Sequence, residues 1–271
     1  MTDTKHMVEL DADNAIHVIH HPPRDGRQTF VFCNSTGAST QAWEARIAPD
    51  LRERGFGTLT MDYRGQGETR FGPDARLEPT EIVADIRAVL AAETPHRPIL
   101  VGLSIGGLYA AEAILAGSEA EKLVLLNTLR KQSTKVEWIN TLEERLIAMG
   151  GMTLVLDVLR PMLSGPDKLE AERPNHLPDE GYTPVPEDNP RRRLAIGVRK
   201  VDWDIAWQDL TLPVLVMTGL QDRLFRIQKD VDELTARIPD TRTITYEDGG
   251  HSMHAEYPDR FVGDLIAFAD A

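Results

Sequence analysis

The sequence predicts an α/β fold: a mainly parallel, eight-stranded sheet flanked by helices, with a helical segment inserted after the sixth strand. Apolar runs of β type alternate with segments of helical period in both halves of the chain. Such alternation implies right-handed crossovers and parallel pairing. It fails between residues 130 and 207 and then resumes. The length, 271 residues, suits one body carrying an insertion. A chain near this size buries about three-quarters of its unfolded surface, enough for a dry core and a pocket.

The elements follow in order. V-E-L and A-I-H-V-I-H are divided by the turn-forming D-A-D-N and read as antiparallel edge strands leading into the buried run T-F-V-F-C. Residues 41–54 place Trp43, Ile47 and Leu51 at helical spacing, with Gly55 set to stop the helix. T-L-T-M-D is a fourth strand ending at Asp62, and residues 81–92 return to helical period through Ile82, Ile86, Val89 and Leu90. R-P-I-L-V-G is a buried strand, 105–116 a helix of small residues, and K-L-V-L-L-N the sixth strand. Helical patches over 136–149 and 153–163 precede a proline-rich stretch over 166–190, which is too long for a simple loop in a compact domain. Residues 130–207 are therefore expected to form a helical cap on a core made of 1–129 and 208–271. L-P-V-L-V-M-T-G, a helix over 228–238, T-R-T-I-T-Y and a terminal helix over 259–268 complete the chain.

Charged residues make up 27% and the hydrophobic set 41%, the balance of a globular chain and not of a disordered one. The net charge of -13 argues against a nucleic-acid partner, since phosphate binding needs a basic face. An anionic substrate would need clustered arginines. Arg191, Arg192, Arg193 and Arg199 are the one such cluster, and they read either as a solvated helix face or as a clamp for a substrate carboxylate. Cys33 is the single cysteine, so no internal disulfide forms. The first residues lack an apolar leader, and no unbroken apolar run approaches the ~20 residues that span a bilayer. The expectation is a cytoplasmic protein with no membrane partner; the oligomeric state is left open.

The strongest chemical signal is I-L-V-G-L-S-I-G-G-L, a G-x-S-x-G motif between a hydrophobic run and a helix. That context fits a nucleophile elbow, with Ser104 on a strained turn. The Ile105 N–H at the helix N-terminus is placed to meet a developing oxyanion. A serine needs a base to become nucleophilic near neutral pH. His251 in E-D-G-G-H-S-M-H follows the last strand and is the candidate; His254 lies a helical turn onward and is expected to pack. Asp222, at the end of V-L-V-M-T-G-L-Q-D, has the chain position of the orienting carboxylate, with helix capping as its other reading. The rival position after the sixth strand holds Asn127, which offers no charge. The loop C-N-S-T-G-A-S-T puts the Thr36 N–H where a second oxyanion donor belongs, or is simply a polar turn. Asp62 precedes the serine and, with Arg64, reads as a structural group that hydrogen-bonds backbone. Cys33 reads as a buried strand residue.

The loop D-Y-R-G-Q-G, the elbow, G-L-Q-D and G-G-H together resemble the α/β-hydrolase superfamily across nearly the whole chain. Asn34-Ser35 stands where most relatives carry His-Gly. N-S-x-G there, G-L-S-x-G-G at the elbow and L-V-L-x-N-T on the sixth strand are similar to 3-oxoadipate enol-lactonases, which implies opening of an enol-lactone to a linear oxo acid. The resemblance implies a small ester or lactone substrate and no metal or organic cofactor. Three other outcomes share these residues: a carbon–carbon-bond hydrolase, a cofactor-independent oxygenase or perhydrolase, and a non-catalytic small-molecule receptor.

Overall fold

A computed structural model describes residues 4–128, 131, 133–177 and 181–271. Its eight described strands are β1 (Lys5–Glu9), β2 (Ala15–His21), β3 (Thr29–Cys33), β4 (Gly57–Met61), β5 (Pro98–Leu103), β6 (Lys122–Leu126), β7 (Val214–Gly219) and β8 (Thr241–Tyr246). They form one sheet in the order β1-β2-β4-β3-β5-β6-β7-β8. β2 is antiparallel to both β1 and β4, and every later pairing is parallel. The expected sheet is the observed one.

β3 to β7 are buried along their whole length, so their sequences are mostly apolar, as parallel strands covered on both faces require, with Thr58 and Thr60 of β4 as buried polar exceptions at its centre. Alternate side chains feed two separate cores. Val31 and Cys33 join one, and Phe30 and Phe32 the other.

The helices are α1 (Gln41–Glu44), α2 (Ile47–Glu53), α3 (Pro79–Glu93), α4 (Ile105–Leu115), α5 (Thr134–Leu163), α6 (Pro166–Glu172), α7 (Pro190–Val198), α8 (Gln228–Arg237), α9 (Met253–Glu256) and α10 (Pro258–Asp270). The single helix expected over 41–54 is two. Pro49 lies in the first turn of α2, and in a continuous helix it would leave the Ala45 carbonyl without its donor and clash with it. The chain breaks at Arg46, with φ -151°.

α5, α6 and α7 lie between β6 and β7. α5 is broken at Gly150 (φ -159°) and Gly151 (φ 66°, ψ -166°), between the two helical patches expected from the sequence. By length and composition α5 is apolar enough to cross a membrane. Counting unbroken runs misses this because Asp157 and Arg160 interrupt them. Its buried residues, among them Ile139, Leu146, Ile147, Val155 and Leu159, instead form a third core with Ala195 of α7 and Leu224.

Candidate active site

Ser104 stands between the last residue of β5 and the first of α4, with φ 56° and ψ -122°. A non-glycine residue there stores about 1–3 kcal/mol and persists only where its surroundings impose it. The Ser104 N–H donates to the Leu126 carbonyl of β6 at 2.8 Å, and the Gly107 N–H closes onto the Ser104 carbonyl at 3.0 Å. Neighbouring glycines permit the crowding. A Cβ on Gly106 would lie 2.3 Å from the Cys33 carbonyl oxygen, and one on Gly102 would lie 2.3 Å from the Gly107 Cα. The sharp turn is thereby pressed against the end of β3.

His251 and Asp222 come from the loops after β8 and β7. Their side chains are almost fully buried and meet at 2.6 Å, Nδ1 to Oδ2. The other Asp222 oxygen accepts the Phe225 N–H at 2.9 Å, so one carboxylate both closes its own turn and holds the imidazole. The Phe225 ring packs 5.0 Å from that of His251.

The histidine loop is tied on several sides. The His251 N–H donates to the Leu163 carbonyl at the end of α5 (2.6 Å), and Glu256 accepts the Gly250 N–H (2.9 Å). Asn127 completes the fastening. Its Nδ2 donates to the Gly250 and His251 carbonyls at 3.1 and 2.7 Å, and its Oδ1 accepts the Gly219 N–H at 2.9 Å. The amide at the rival acid position thus joins the ends of β6, β7 and β8, a task that needs donor and acceptor together.

His254 is buried against Trp43, 4.7 Å between rings. Burial, then the neighbouring His251, pushes its pKa down to about 3, so it is a neutral packing group. Cys33 is fully buried, and burial pushes its thiol up to about 12, far from a reactive thiolate. Asp62 accepts the Thr40 and Glu68 N–H groups and meets His17 at 2.7 Å. Arg64 departs from expectation: it forms a paired contact with Asp85 at 2.6 Å and does not bond backbone there.

The loop after β3 is built on Asn34, which is fully buried. Its side chain donates to the Met61 carbonyl and accepts the Trp43 indole N–H, each at 2.7 Å. The Ser35 carbonyl accepts Gln66 Nε2 at 2.9 Å and the Ala38 N–H at 3.3 Å. In a trans peptide the Thr36 N–H points away from that carbonyl. At the other side of Ser104, the first N–H groups of a helix such as α4 lack intrahelical partners.

Ser104, His251, Ser35, Thr36 and Ile105 line one cavity of about 180 Å³. Its remaining walls are largely apolar: Val136, Met152, Val155, Leu156, Leu159 and Leu163 from α5, Ala195 and Val198 from α7, and Trp203 and Phe225. Asn140 and Glu143, both on α5, also line it. Arg191, Arg192, Arg193 and Arg199 do not. Arg192 pairs with Glu144 at 3.2 Å, Arg193 donates to the Pro73 and Ala75 carbonyls, and Arg191 and Arg199 are exposed.

The elbow, the carboxylate–imidazole contact and the strand order together define a protein of the α/β-hydrolase fold. The chain belongs to the alpha/beta hydrolase family, whose model matches residues 30–264. It is 24% identical over 270 residues to a pimeloyl-[acyl-carrier protein] methyl ester esterase of Pectobacterium atrosepticum, covering 91% of this chain and 96% of the other. The enol-lactonase of Burkholderia xenovorans superposes with a TM-score of 0.76 at 22% identity, covering 95% and 97%. An alpha/beta hydrolase from a Medee basin deep-sea metagenome reaches 0.82 at 16%, with 98% of each chain covered.

Proposed function

We propose that the protein is a serine hydrolase that cleaves a small carboxylic ester or lactone through an acyl-enzyme. The 2.6 Å contact of Asp222 with His251, which with Ser104 lines one cavity, is the observation that carries this reading. Asp222 holds the imidazole with Nδ1 protonated and Nε2 free to act as base. His251 takes the Ser104 hydroxyl proton as Oγ adds to the substrate carbonyl. The Thr36 and Ile105 N–H groups receive the oxyanion. Collapse breaks the carbon–oxygen bond, and the proton on His251 passes to the leaving alkoxide. With a lactone, that alcohol stays tethered through the acyl group. A water deprotonated by His251 then frees the acid and restores Ser104.

Residues 130–207 act in this reading as a cap that closes the cavity over the sheet and sets its size. An apolar cavity of ~150 Å³ accepts a benzene ring, so a volume near 180 Å³ suits a ring-sized or short-chain substrate.

Brief incubation with p-nitrophenyl acetate, followed by intact-mass measurement, tests the reading. An acetyl adduct on the wild type and none on Ser104→Ala is the expected result. No adduct and no turnover across an ester and lactone panel would overturn it, and oxygen uptake during turnover would point to oxygenation on the same residues.

A further inference from the structure

We propose that Glu143, with Asn140 beside it, forms a substrate-reading subsite that accepts an uncharged group bearing a hydrogen-bond donor, such as a carboxamide or hydroxyl, and turns away substrates carrying a free carboxylate. This rests on the hydrolase reading and specifies its substrate class. Asn140 and Glu143 are three residues apart on α5, one and two turns beyond Val136, and all three line the cavity that Ser104 and His251 also line. Glu143 and His251 are the ionisable groups among the described lining residues. Among the described residues no lysine or arginine lines the cavity to hold a substrate anion: Arg192 pairs with Glu144, Arg193 bonds backbone carbonyls, and Arg191 and Arg199 are exposed.

A carboxyl group on a largely apolar wall acts in two ways. Accepting a hydrogen bond is what an oxygen pair does whether or not it is ionised, so a donor on the substrate is held in either state. A substrate carboxylate brought beside it meets like charge in a medium that screens poorly, or forces Glu143 to carry a proton. Burial already pushes the Glu143 pKa up, with His251 the opposing influence. A lactone derived from a six-carbon diacid keeps one carboxylate free, so the subsite separates this chain from the substrate that its resemblance to 3-oxoadipate enol-lactonases suggests.

Three methyl esters of nearly equal shape test the subsite: methyl 4-carbamoylbutanoate, monomethyl glutarate and methyl 5-methylhexanoate, which end in a carboxamide, a carboxylate and an isopropyl group. Wild type should turn over the carboxamide best and the carboxylate worst, with kcat/KM for those two differing by on the order of 100-fold, as one poorly screened like-charge contact implies. Glu143→Gln should narrow that gap at least about tenfold by raising the rate on the carboxylate, and Glu143→Ala should do so while also losing the preference for carboxamide over isopropyl. Rates on carboxylate and carboxamide within about threefold of each other in wild type, or a gap that neither variant changes, would overturn the proposal while leaving hydrolysis intact. Binding of the same esters to Ser104→Ala by calorimetry separates the two readings. The same order of affinity without turnover in wild type sustains the subsite and sinks the hydrolase, and equal affinities for the three overturn the subsite.

Discussion

At the residue scale the sequence exposed the groups of the proposed reaction because that chemistry demands particular neighbours. Ser104 requires small residues at Gly102 and Gly106, and its partners must follow strands in a set order. Asp222→Asn keeps the shape of the side chain but can present an amide N–H to Nδ1, which selects the wrong tautomer. The expected result is a fall in kcat of about 10³–10⁴-fold with KM little changed, read from steady-state kinetics on any ester that wild type cleaves. Asn127 was visible in the sequence as a position lacking charge and as part of the L-V-L-x-N-T run, with no role attached. Its value lies in donating to two carbonyls and accepting one N–H, contacts that no local pattern announces. Asn127→Asp cannot donate to either carbonyl and sets charge against them. It should lower kcat by at least about tenfold and cost stability by roughly 1–3 kcal/mol, the penalty of unsatisfied buried groups. Asn127→Ala should do less harm to kcat, because it removes the tie without adding repulsion.

At the scale of elements, strands β3 to β7 were legible because burial on both faces writes a short run rich in apolar and β-branched residues. The break in α5 was legible because two adjacent glycines interrupt a helical period. The division of 41–54 was not, since the spacing of Trp43, Ile47 and Leu51 continues across Arg46 and outweighed Pro49. Glu143 was missed although it stands inside the apolar stripe Val136, Ile139, Leu146, Ile147, all buried; a carboxylate on such a stripe was the available signal. Arg192 and Arg193 are held by Glu144 and by the Pro73 and Ala75 carbonyls, and only tertiary placement brings those acceptors to them. The α5 break joins fold to site. Val136 and Glu143 precede it and Met152, Val155 and Leu159 follow it, and all line the cavity. Gly151 has φ 66° and ψ -166°, a region that costs other residues about 1–3 kcal/mol. Gly151→Ala should therefore lower the melting temperature by several degrees and raise KM severalfold by shifting the two walls against each other, while kcat changes little.

For the whole molecule, two titratable groups that take no part in the proposed reaction, one buried and one half-buried, shape stability against pH, and their signs oppose. His254 has its folded pKa depressed from 6.5 to about 3. Below pH 6.5 the unfolded chain takes up a proton that the folded chain refuses, so stability is lost as pH falls from 6.5 toward 3. Glu112 of α4 is displaced the other way. Burial, with Asp202 adding repulsion, raises its pKa from 4.5 to about 7, and its Oε2 is buried without a hydrogen-bond partner among the described residues. Between pH 4.5 and 7 the unfolded state ionises this group while the folded state retains the proton. Stability therefore falls through that window and stays lower above it. The net charge of -13 adds self-repulsion in the same direction as pH rises. The melting temperature should accordingly peak in mildly acidic solution, near pH 5–6, and not at neutrality. Glu112→Gln keeps the shape and removes the titration: it should raise the melting temperature at pH 8, by about 2–4 °C for each kcal/mol recovered in a chain of roughly this size, and leave it nearly unchanged at pH 4.5. Scanning calorimetry of both proteins across that range decides the matter, because an equal shift at the two pH values would mean that the substitution improves packing and that Glu112 does not titrate between them.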